Sequence, residues 1–303
     1  MNTQITIKAP ATTANLGPGF DCLGMALDLW SKTTFEVIDQ NKNTVIISGE
    51  GENKIPKNSD NLILKSFQIP FYKANLAPPT VKITCYNEIP IGKGLGSSSA
   101  AIVSGLIAGN EISGKPFTKY DLIELANSLE GHPDNISAAI LGGCQITIQE
   151  GARLISSNIP ISDKISTILF IPDIETTTKK SREKLPDQIS LVDAVYNIGR
   201  TALLVKSLIN NDFDKLSIAT QDKLHQPYRL LENPRIKNIF KAAMTCGALG
   251  VFLSGSGPTV LALANNREFT IGYEMADAAS KSNIQGNIKI TKPSIKGAYI
   301  VKK

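Results

Sequence analysis

The sequence predicts an α+β protein with two domains. Segments that alternate apolar and polar residues, as strands do, are interspersed with amphipathic segments typical of helices. The 303 residues are enough for two domains of ordinary size. A glycine- and serine-rich stretch, residues 90–101, connects a predicted strand (80–89) to a predicted helix (100–109). This order of strand, glycine-rich loop and helix indicates a phosphate-binding loop in the first domain.

The composition excludes several classes of protein. With 42% hydrophobic and 19% charged residues, the chain has an ordinary globular composition. The net charge of +5 is small, and no Lys/Arg cluster is interleaved with aromatic residues, so we expect no nucleic-acid partner. Four widely spaced cysteines indicate buried thiols in a reducing compartment. No apolar run approaches the ~20 residues of a membrane helix, so we expect a cytoplasmic protein without a membrane partner, and a homodimer is compatible with the sequence.

The first domain is predicted to span residues 1–155. Alternation at Ile5 and Ile7 predicts a short strand that stops at Pro10. Asp60 is the expected N-cap of a helix, and the helix that begins at residue 100 is expected to stop at Gly109. The remaining predicted elements are strands at 23–30, 33–38, 44–48 and 144–148 and helices at 62–74 and 121–129.

The second domain is predicted to span residues 156–303. Two β-α-β-like units on an antiparallel sheet suggest a ferredoxin-like fold. Its predicted strands are 166–171, 287–291, 298–301 and the two that flank a tight loop within 250–260, and its predicted helices are 190–210, 214–224, 234–247 and 268–282.

The glycine-rich loop has the chemistry of an anion site. Glycines let backbone N–H groups turn toward an anion, and the first helical turn adds free N–H donors and the positive end of the helix dipole. A flexible linker is the alternative, but a linker would not run directly into a helix with a buried face. The spacing fits neither the Walker loop nor the dinucleotide fingerprint.

The loop instead resembles the second motif of the GHMP kinases, with Ser99 at the motif's first Ala. The Gly-rich segment at residues 250–260 resembles their third motif. The resemblance implies the two-domain GHMP kinase fold, with a ribosomal-S5-like nucleotide-binding domain and a ferredoxin-like domain, and implies that ATP is bound with Mg²⁺. The residues implied in ATP binding are Pro90, Ile91, Gly92, Lys93, Gly94, Leu95, Gly96, Ser97, Ser98, Ser99 and Ala100.

Residues 10–21 resemble the first motif of one GHMP branch, the homoserine kinases, at every specified position. The resemblance implies that Asn15 and Asp21 bind the substrate. From spacing alone, ordinary turn chemistry is the favoured interpretation of both residues.

Residues 130–135, E-G-H-P-D-N, resemble the segment that forms the amino-acid pocket of this branch. The resemblance implies that His132, Asp134 and Asn135 face the substrate, with Asn135 aligning its hydroxyl. It also places the magnesium glutamate eight residues before the histidine, which selects Glu124, with Ser98, rather than the nearer Glu130. A structural histidine at a helix end is the alternative for His132.

Two further segments resemble substrate-binding motifs of the same branch. They imply a threonine and an arginine at Thr178 and Arg182 and a second arginine at Arg229, with Arg235 as its competitor. Two arginines suit one small carboxylate because the planar guanidinium bonds both oxygens. A solvated basic loop is the alternative for residues 176–182.

The resemblance implies ATP-dependent phosphorylation of L-homoserine to O-phospho-L-homoserine, a step of threonine biosynthesis. One alternative is another GHMP small-molecule kinase, such as a mevalonate or isoprenoid-precursor kinase. A second is a nucleotide-binding regulatory protein without turnover.

Overall fold

The computed structural model describes residues 3–151 and 153–301 in eleven strands and ten α-helices, with one short 3₁₀ turn. The strands are β1 (Gln4–Ala14), β2 (Leu23–Val37), β3 (Thr44–Gly49), β4 (Val81–Asn87), β5 (Cys144–Glu150), β6 (Arg153–Ile159), β7 (Ser166–Pro172), β8 (Gly250–Leu253), β9 (Val260–Ala264), β10 (Gly286–Thr291) and β11 (Tyr299–Ile300). The helices are α1 (Leu62–Lys73), α2 (Ser97–Ile112), α3 (Lys119–Glu130), α4 (Pro133–Leu141), α5 (Thr178–Arg182), α6 (Leu191–Asn210), α7 (Leu216–Ala219), α8 (Gln226–Arg229), α9 (Ile236–Thr245) and α10 (Glu268–Lys281).

Two sheets organise the two domains. The first has seven strands in the order β11-β1-β2-β4-β3, with β5 pairing to β2 and to β6. Within the part of the chain that the structure describes, β3 and β4 run parallel and the other pairs of this sheet run antiparallel. The second has four antiparallel strands in the order β10-β7-β9-β8. Numbered along the chain, that order is the fourth, first, third and second strand, which is the ferredoxin-like arrangement. The predicted α+β class and the ferredoxin-like second domain are therefore confirmed.

The predicted domain boundary at residue 155 needs correction. It falls inside β6, which pairs with β5 as far as Ile159. The chain also returns to the first sheet at its end, where β11 pairs with β1 through Ile7 and Ile300. Local patterns predict strands but not their distant partners, so neither feature was predictable from the sequence.

Several predicted element ends are also corrected. Strand β1 continues through Pro10, because a bulge between Pro10 and Ala11 accommodates a residue that cannot donate to the sheet. Helix α2 continues past Gly109, where a Cβ would lie 2.2 Å from the carbonyl oxygen of Phe67. Gly109 thus permits close packing on α1 rather than ending the helix. Asn61, not Asp60, caps α1, and its side chain accepts from two backbone N–H groups.

Three further segments differ from the predictions. Residues 133–141 form helix α4, for which no element was predicted. Residues 178–182, for which a solvated basic loop was the alternative, form helix α5. The helix predicted over 214–224 is reduced to a 3₁₀ turn and α7. A Pro at the first position of α4 fits its helical start.

One hydrophobic core joins the two domains. It combines residues of the first sheet and α2 to α4 with α6 and the second sheet; Met25, Leu106, Leu204, Phe252 and Leu261 are all buried in it. Because the core is continuous, the groups on either side of the inter-domain cleft are held in fixed relation. Among the residues that the structure describes, no helix is long and apolar enough to cross a membrane.

Candidate active site

A cleft of about 410 Å³ lies where the two domains meet. The first domain supplies the glycine-rich loop and the first turns of α2 and α4. The second supplies α5, Arg229 of α8 and the loop after β8. The substrate residues predicted from the sequence all line this cleft: Asn15, Asp21, His132, Asp134, Asn135, Thr178, Arg182 and Arg229.

The glycine-rich loop needs its glycines. Gly94 and Gly96 have φ of 74° and 65°, in the left-handed region. A Cβ on Gly94 would lie 2.2 Å from the Ser254 carbonyl oxygen, and one on Gly96 would lie 1.9 Å from Thr12 Oγ1. Gly96 is also the N-cap of α2, and no side chain of the described residues caps that helix. The first-turn N–H groups are therefore left for an anion.

Most of the predicted ATP residues line the cleft. Residues 90–98 do so, whereas Ser99 and Ala100 are buried in α2. The Ser99 hydroxyl has no hydrogen-bond partner among the described residues.

The second domain holds the glycine-rich loop in place. Ser254 Oγ donates to the Gly94 carbonyl oxygen at 2.6 Å, and the N–H of Thr176 donates to the Gly92 carbonyl oxygen at 3.1 Å. Lys93 Nζ donates to the carbonyl oxygens of Pro172 and Ile174. Burial lowers the pKa of Lys93. The loop therefore bridges the two domains.

Ser98 contacts Glu130, not Glu124. Ser98 Oγ donates to Glu130 Oε1 at 2.6 Å, and both side chains line the cleft. Glu124 is exposed, lies six residues earlier on α3, or about 1.7 turns, and does not line the cleft. The choice of Glu124 from the family spacing stays a prediction, and Glu130 is the carboxylate that the structure places beside Ser98. Among the described residues no cluster of three or more His, Cys, Asp or Glu could hold a metal, so phosphate oxygens would have to complete any coordination shell.

Two arginines converge on Phe20 at the second-domain side. The guanidinium carbons of Arg182 and Arg229 lie 5.4 and 5.5 Å from the ring centroid. Arg182 Nη2 lies 2.7 Å from Asp21 Oδ1, and Arg229 Nη1 donates to the Gly255 carbonyl oxygen at 2.7 Å. Arg229 Nε is buried without a partner among the described residues, so it remains a donor for a ligand. Arg235 lies outside the cleft, with Nη1 directed to the Ser282 carbonyl oxygen.

A buried polar chain that sequence reasoning missed supports Arg229. His225 Nε2 lies 2.7 Å from the Gly17 carbonyl oxygen, and its Nδ1 lies 3.1 Å from Arg229 Nη1. Burial lowers the pKa of His225 to about 4, so a neutral ring donates through Nε2 and accepts through Nδ1. The buried Asp222 accepts from the backbone N–H groups of residues 224 to 226. Burial and the neighbouring Arg182 lower the pKa of Arg229 to about 10, which leaves it charged at neutral pH.

The first turn of α4 carries the polar groups opposite the arginines. Asp134 is buried, and burial is the main cause that raises its pKa to about 6, with Asp21 adding to the effect. His132 Nδ1 lies 3.7 Å from Asp134 Oδ1. Thr12 Oγ1 donates to Asn135 Oδ1 at 2.8 Å, which directs the Asn135 amide nitrogen toward Asp134. Thr12 was not among the predicted site residues because a Thr in a strand gives no local signal.

Comparison with known proteins identifies the class. The model of the GHMP kinases N terminal domain matches residues 61–143, and that of the GHMP kinases C terminal matches residues 204–277. The fold and the glycine-rich loop are accordingly those of a GHMP kinase.

Full-length relatives narrow the class further. The chain is 40% identical to a homoserine kinase of Moorella thermoacetica, over 97% of this chain and 99% of that one. It is 37% identical to one of Clostridium botulinum, over 99% of both. A crystal structure of homoserine kinase from Cytophaga hutchinsonii superposes with a TM-score of 0.89 at 28% identity, covering 98% of this chain and 97% of that one. The chain therefore belongs to the homoserine kinase family.

The elevated pKa of Asp134 gives a test in the absence of any ligand. Between pH 4 and pH 6 the folded chain keeps a proton on Asp134 that the unfolded chain has released, so wild-type stability falls as pH rises through this window. Asp134→Asn removes that loss. We expect the variant to gain stability relative to wild type by up to about 3 kcal/mol between pH 4 and pH 7.

The measurement is the free energy of unfolding in urea at pH 4, 5, 6 and 7. Asp163→Asn, at an exposed position outside the cleft, controls for the loss of one negative charge. A stability difference for Asp134→Asn that stays constant with pH would contradict the buried, protonated carboxyl.

Proposed function

We propose that this protein transfers the γ-phosphoryl group of ATP to the side-chain hydroxyl of L-homoserine and releases O-phospho-L-homoserine. The observation that carries the proposal is the pairing in one cleft of a phosphate-binding loop with a buried arginine opposite a buried carboxyl. An amino acid needs a group such as this arginine for its carboxylate and one such as this carboxyl for its ammonium. The family supports ATP as the phosphoryl donor, and the proposal includes a cytoplasmic role in threonine biosynthesis.

Each end of the substrate has a partner in the cleft. Arg229, with its unpartnered Nε, and Arg182 would bind the carboxylate. Asp134 and Asp21 would bind the ammonium, whose positive charge offsets the burial and the repulsion from Asp21 that raise the pKa of Asp134. Asn15, which donates to the Gly255 carbonyl and accepts from the Asp21 N–H, fixes the loop that carries Asp21. His132 and Thr178 complete the walls of this subsite.

The nucleotide would lie with its phosphates on the glycine-rich loop and the N-terminus of α2. Ser98 and Glu130 present a hydroxyl and a carboxylate, the hard oxygen donors that Mg²⁺ takes together with phosphate oxygens. We therefore assign the Mg²⁺ ligands to Ser98 and Glu130. When bound, the ion neutralises charge on the transferred phosphoryl group.

Asn135, not a general base, would align the reacting hydroxyl. The Thr12 hydroxyl fixes its carboxamide, so the amide orientation is set before substrate binds. A loose phosphoryl-transfer transition state needs little deprotonation of the nucleophile, so alignment of the hydroxyl with ATP suffices.

The alternative, a mevalonate or isoprenoid-precursor kinase, has weaker support. The mevalonate kinase of L. major superposes with a TM-score of 0.68 at 14% identity, covering 97% of this chain and 96% of that one, which is a likeness of fold alone. Mevalonate also has no ammonium group for Asp134.

The test of the proposed function is a coupled ADP-release assay with homoserine, mevalonate, galactose and water alone as acceptors. We expect rapid ADP release with homoserine and background rates with the other three. Turnover with mevalonate but not homoserine would support the alternative kinase, and background rates throughout would support a binding protein without turnover.

The metal assignment predicts opposite outcomes for two glutamates on α3. Glu130→Gln should lower kcat on the order of 10²-fold, as expected for loss of a strong electrostatic stabiliser, and should raise the Mg²⁺ concentration needed for half-maximal rate. Glu124→Gln, the matched control on the same helix, should change neither quantity. Steady-state assays across Mg²⁺ concentrations check this, and the reverse ranking would restore the assignment to Glu124.

The carboxylate assignment predicts a difference between two arginines. Arg229→Ala should raise the KM for homoserine by a factor on the order of 10² while the KM for ATP changes little, because only the substrate carboxylate loses its partner. Arg229→Lys should restore little, since lysine lacks the planar fork. Arg235→Ala is the control and should leave both KM values unchanged. A rise in the KM for ATP alone in Arg229→Ala would instead indicate that the arginine binds the phosphates.

The roles of the two neighbouring α4 residues can be separated kinetically. Asp134→Asn should act chiefly on homoserine binding, whereas Asn135→Ala should lower the rate of phosphoryl transfer by misaligning the hydroxyl. Single-turnover transfer at saturating homoserine across pH distinguishes them. A loss of ~10²–10⁴ in rate for Asp134→Asn, with disappearance of a pH limb seen in wild type, would establish a general base instead.

A further inference from the structure

The guanidinium of Arg229 has one particular edge left for a ligand. Nη1 carries two N–H groups, and both have protein acceptors: the Gly255 carbonyl oxygen at 2.7 Å and His225 Nδ1 at 3.1 Å. Nε, by contrast, is buried without a partner among the residues that the structure describes. The edge formed by Nε and Nη2 is therefore the one that can receive a ligand. Two parallel N–H donors on one edge are what a carboxylate needs for a bidentate contact.

His225 can accept from Arg229 in only one of its two neutral tautomers. Nδ1 is an acceptor only when the ring proton is on Nε2. Nε2 lies 2.7 Å from the Gly17 carbonyl oxygen and 3.6 Å from Asp222 Oδ2, and both of these oxygens favour a proton on Nε2. The surroundings of Nε2 thus determine what Nδ1, across the ring, offers to Arg229.

Packing holds the imidazole ring in the orientation that these contacts need. The His225 side chain is fully buried and stacks on Phe20, with ring centroids 5.3 Å apart and ring planes at 27°. The Gly17 backbone is closely packed as well, because a Cβ there would lie 2.1 Å from the Thr220 carbonyl oxygen. The ring and the acceptor of its Nε2 proton are therefore both fixed by the protein itself.

A neutral histidine suits this position better than a carboxylate would. An aspartate or glutamate would also accept from Arg229, but its negative charge would neutralise the guanidinium and compete with the carboxylate of a ligand. Burial lowers the pKa of His225 to about 4, so the ring adds an acceptor without adding charge. The charge of Arg229 is thereby kept for the ligand.

We propose that His225 is a positioning residue whose Nδ1 selects the edge of Arg229 that binds the carboxylate of the substrate. This role rests on the proposed function, which assigns Arg229 to the homoserine carboxylate. The Gly17 carbonyl acts one step further out, because it fixes the ring proton on Nε2. The expected signature is a requirement for an acceptor at the position of Nδ1, and not for an imidazole as such.

The kinetic test compares two amide replacements of His225. The Asn carboxamide oxygen can occupy the position of Nδ1 and accept from Arg229, whereas the longer Gln side chain places its amide at the position of Nε2. His225→Gln should raise the KM for homoserine on the order of tenfold, the effect of losing a buried hydrogen bond to a charged group, and leave the KM for ATP unchanged. His225→Asn should restore most of the loss. Tyr228→Phe, on the same short helix and outside the cleft, is the control and should change neither KM.

A double-mutant cycle shows whether His225 acts through Arg229. In an Arg229→Ala background, His225→Gln should change the KM for homoserine by less than about twofold, because the arginine that it positions is gone. Equal effects of His225→Gln in both backgrounds, or an Asn variant no better than the Gln variant, would overturn the proposal. Circular dichroism establishes which variants are folded, and if the Gln variant is not, the tautomer of His225 decides.

The tautomer can be measured in the wild-type protein without substrate. The chain has two histidines, His132 and His225, so a long-range proton–nitrogen correlation spectrum of protein labelled with nitrogen-15 in histidine contains two rings. His132→Gln assigns them. At neutral pH His225 should carry its single ring proton on Nε2. A wild type that does not phosphorylate homoserine would overturn the proposed function, whereas a ring proton on Nδ1 in a protein that does so would overturn only the role of His225.

Discussion

The close contact between Gly94 and Ser254 sets the geometry of the cleft. The contact leaves no space for a side chain on Gly94, and the Ser254 hydroxyl donates to the Gly94 carbonyl oxygen. The next residue, Gly255, accepts from Asn15 Nδ2 and from Arg229 Nη1. One short segment of the second domain therefore fixes the phosphate loop, the Asp21 loop and the substrate arginine relative to one another.

Burial makes the charges in this cleft specific. Arg229 and Asp134 are both buried, and each is held in an environment that disfavours its charged form. A ligand that brings a carboxylate to Arg229 and an ammonium to Asp134 offsets the cost of burying both charges. A ligand that lacks either group leaves one buried charge without a partner. The neutral His225 contributes a second acceptor for Arg229 without adding charge. The cleft thereby selects a small zwitterion next to a phosphate site.

The sequence predicted the fold class because that feature depends on local patterns, whereas the proposed site residues came from the resemblance to the family. The segments that resemble the family's motifs contain the glycine-rich loop, Asn15, Asp21, Asp134 and the two arginines. All of these line the cleft except Ser99 and Ala100 at the end of the loop. The sequence did not predict that Glu130, at the end of α3, would contact Ser98. The spacing to His132 carries no information about where α3 ends and α4 begins. Thr12 was missed because its partner, Asn135, is brought to it only by tertiary packing. Asp222 accepts from backbone N–H groups two to four residues further along the chain, and only the fold connects this local contact to Arg229 through His225.

Recognition of both ends of an amino acid is the central proposed property of the cleft, and analogues of L-homoserine test it with the wild-type protein. The measurement is kcat/KM with L-homoserine, with 3-amino-1-propanol, which lacks the carboxylate, and with 4-hydroxybutanoate, which lacks the ammonium. Each analogue should lose a factor on the order of 10³ or more, because buried charged groups of the cleft are left unpaired. Turnover of either analogue within tenfold of L-homoserine would contradict the assignment of Arg229 or of Asp134 to that end of the substrate.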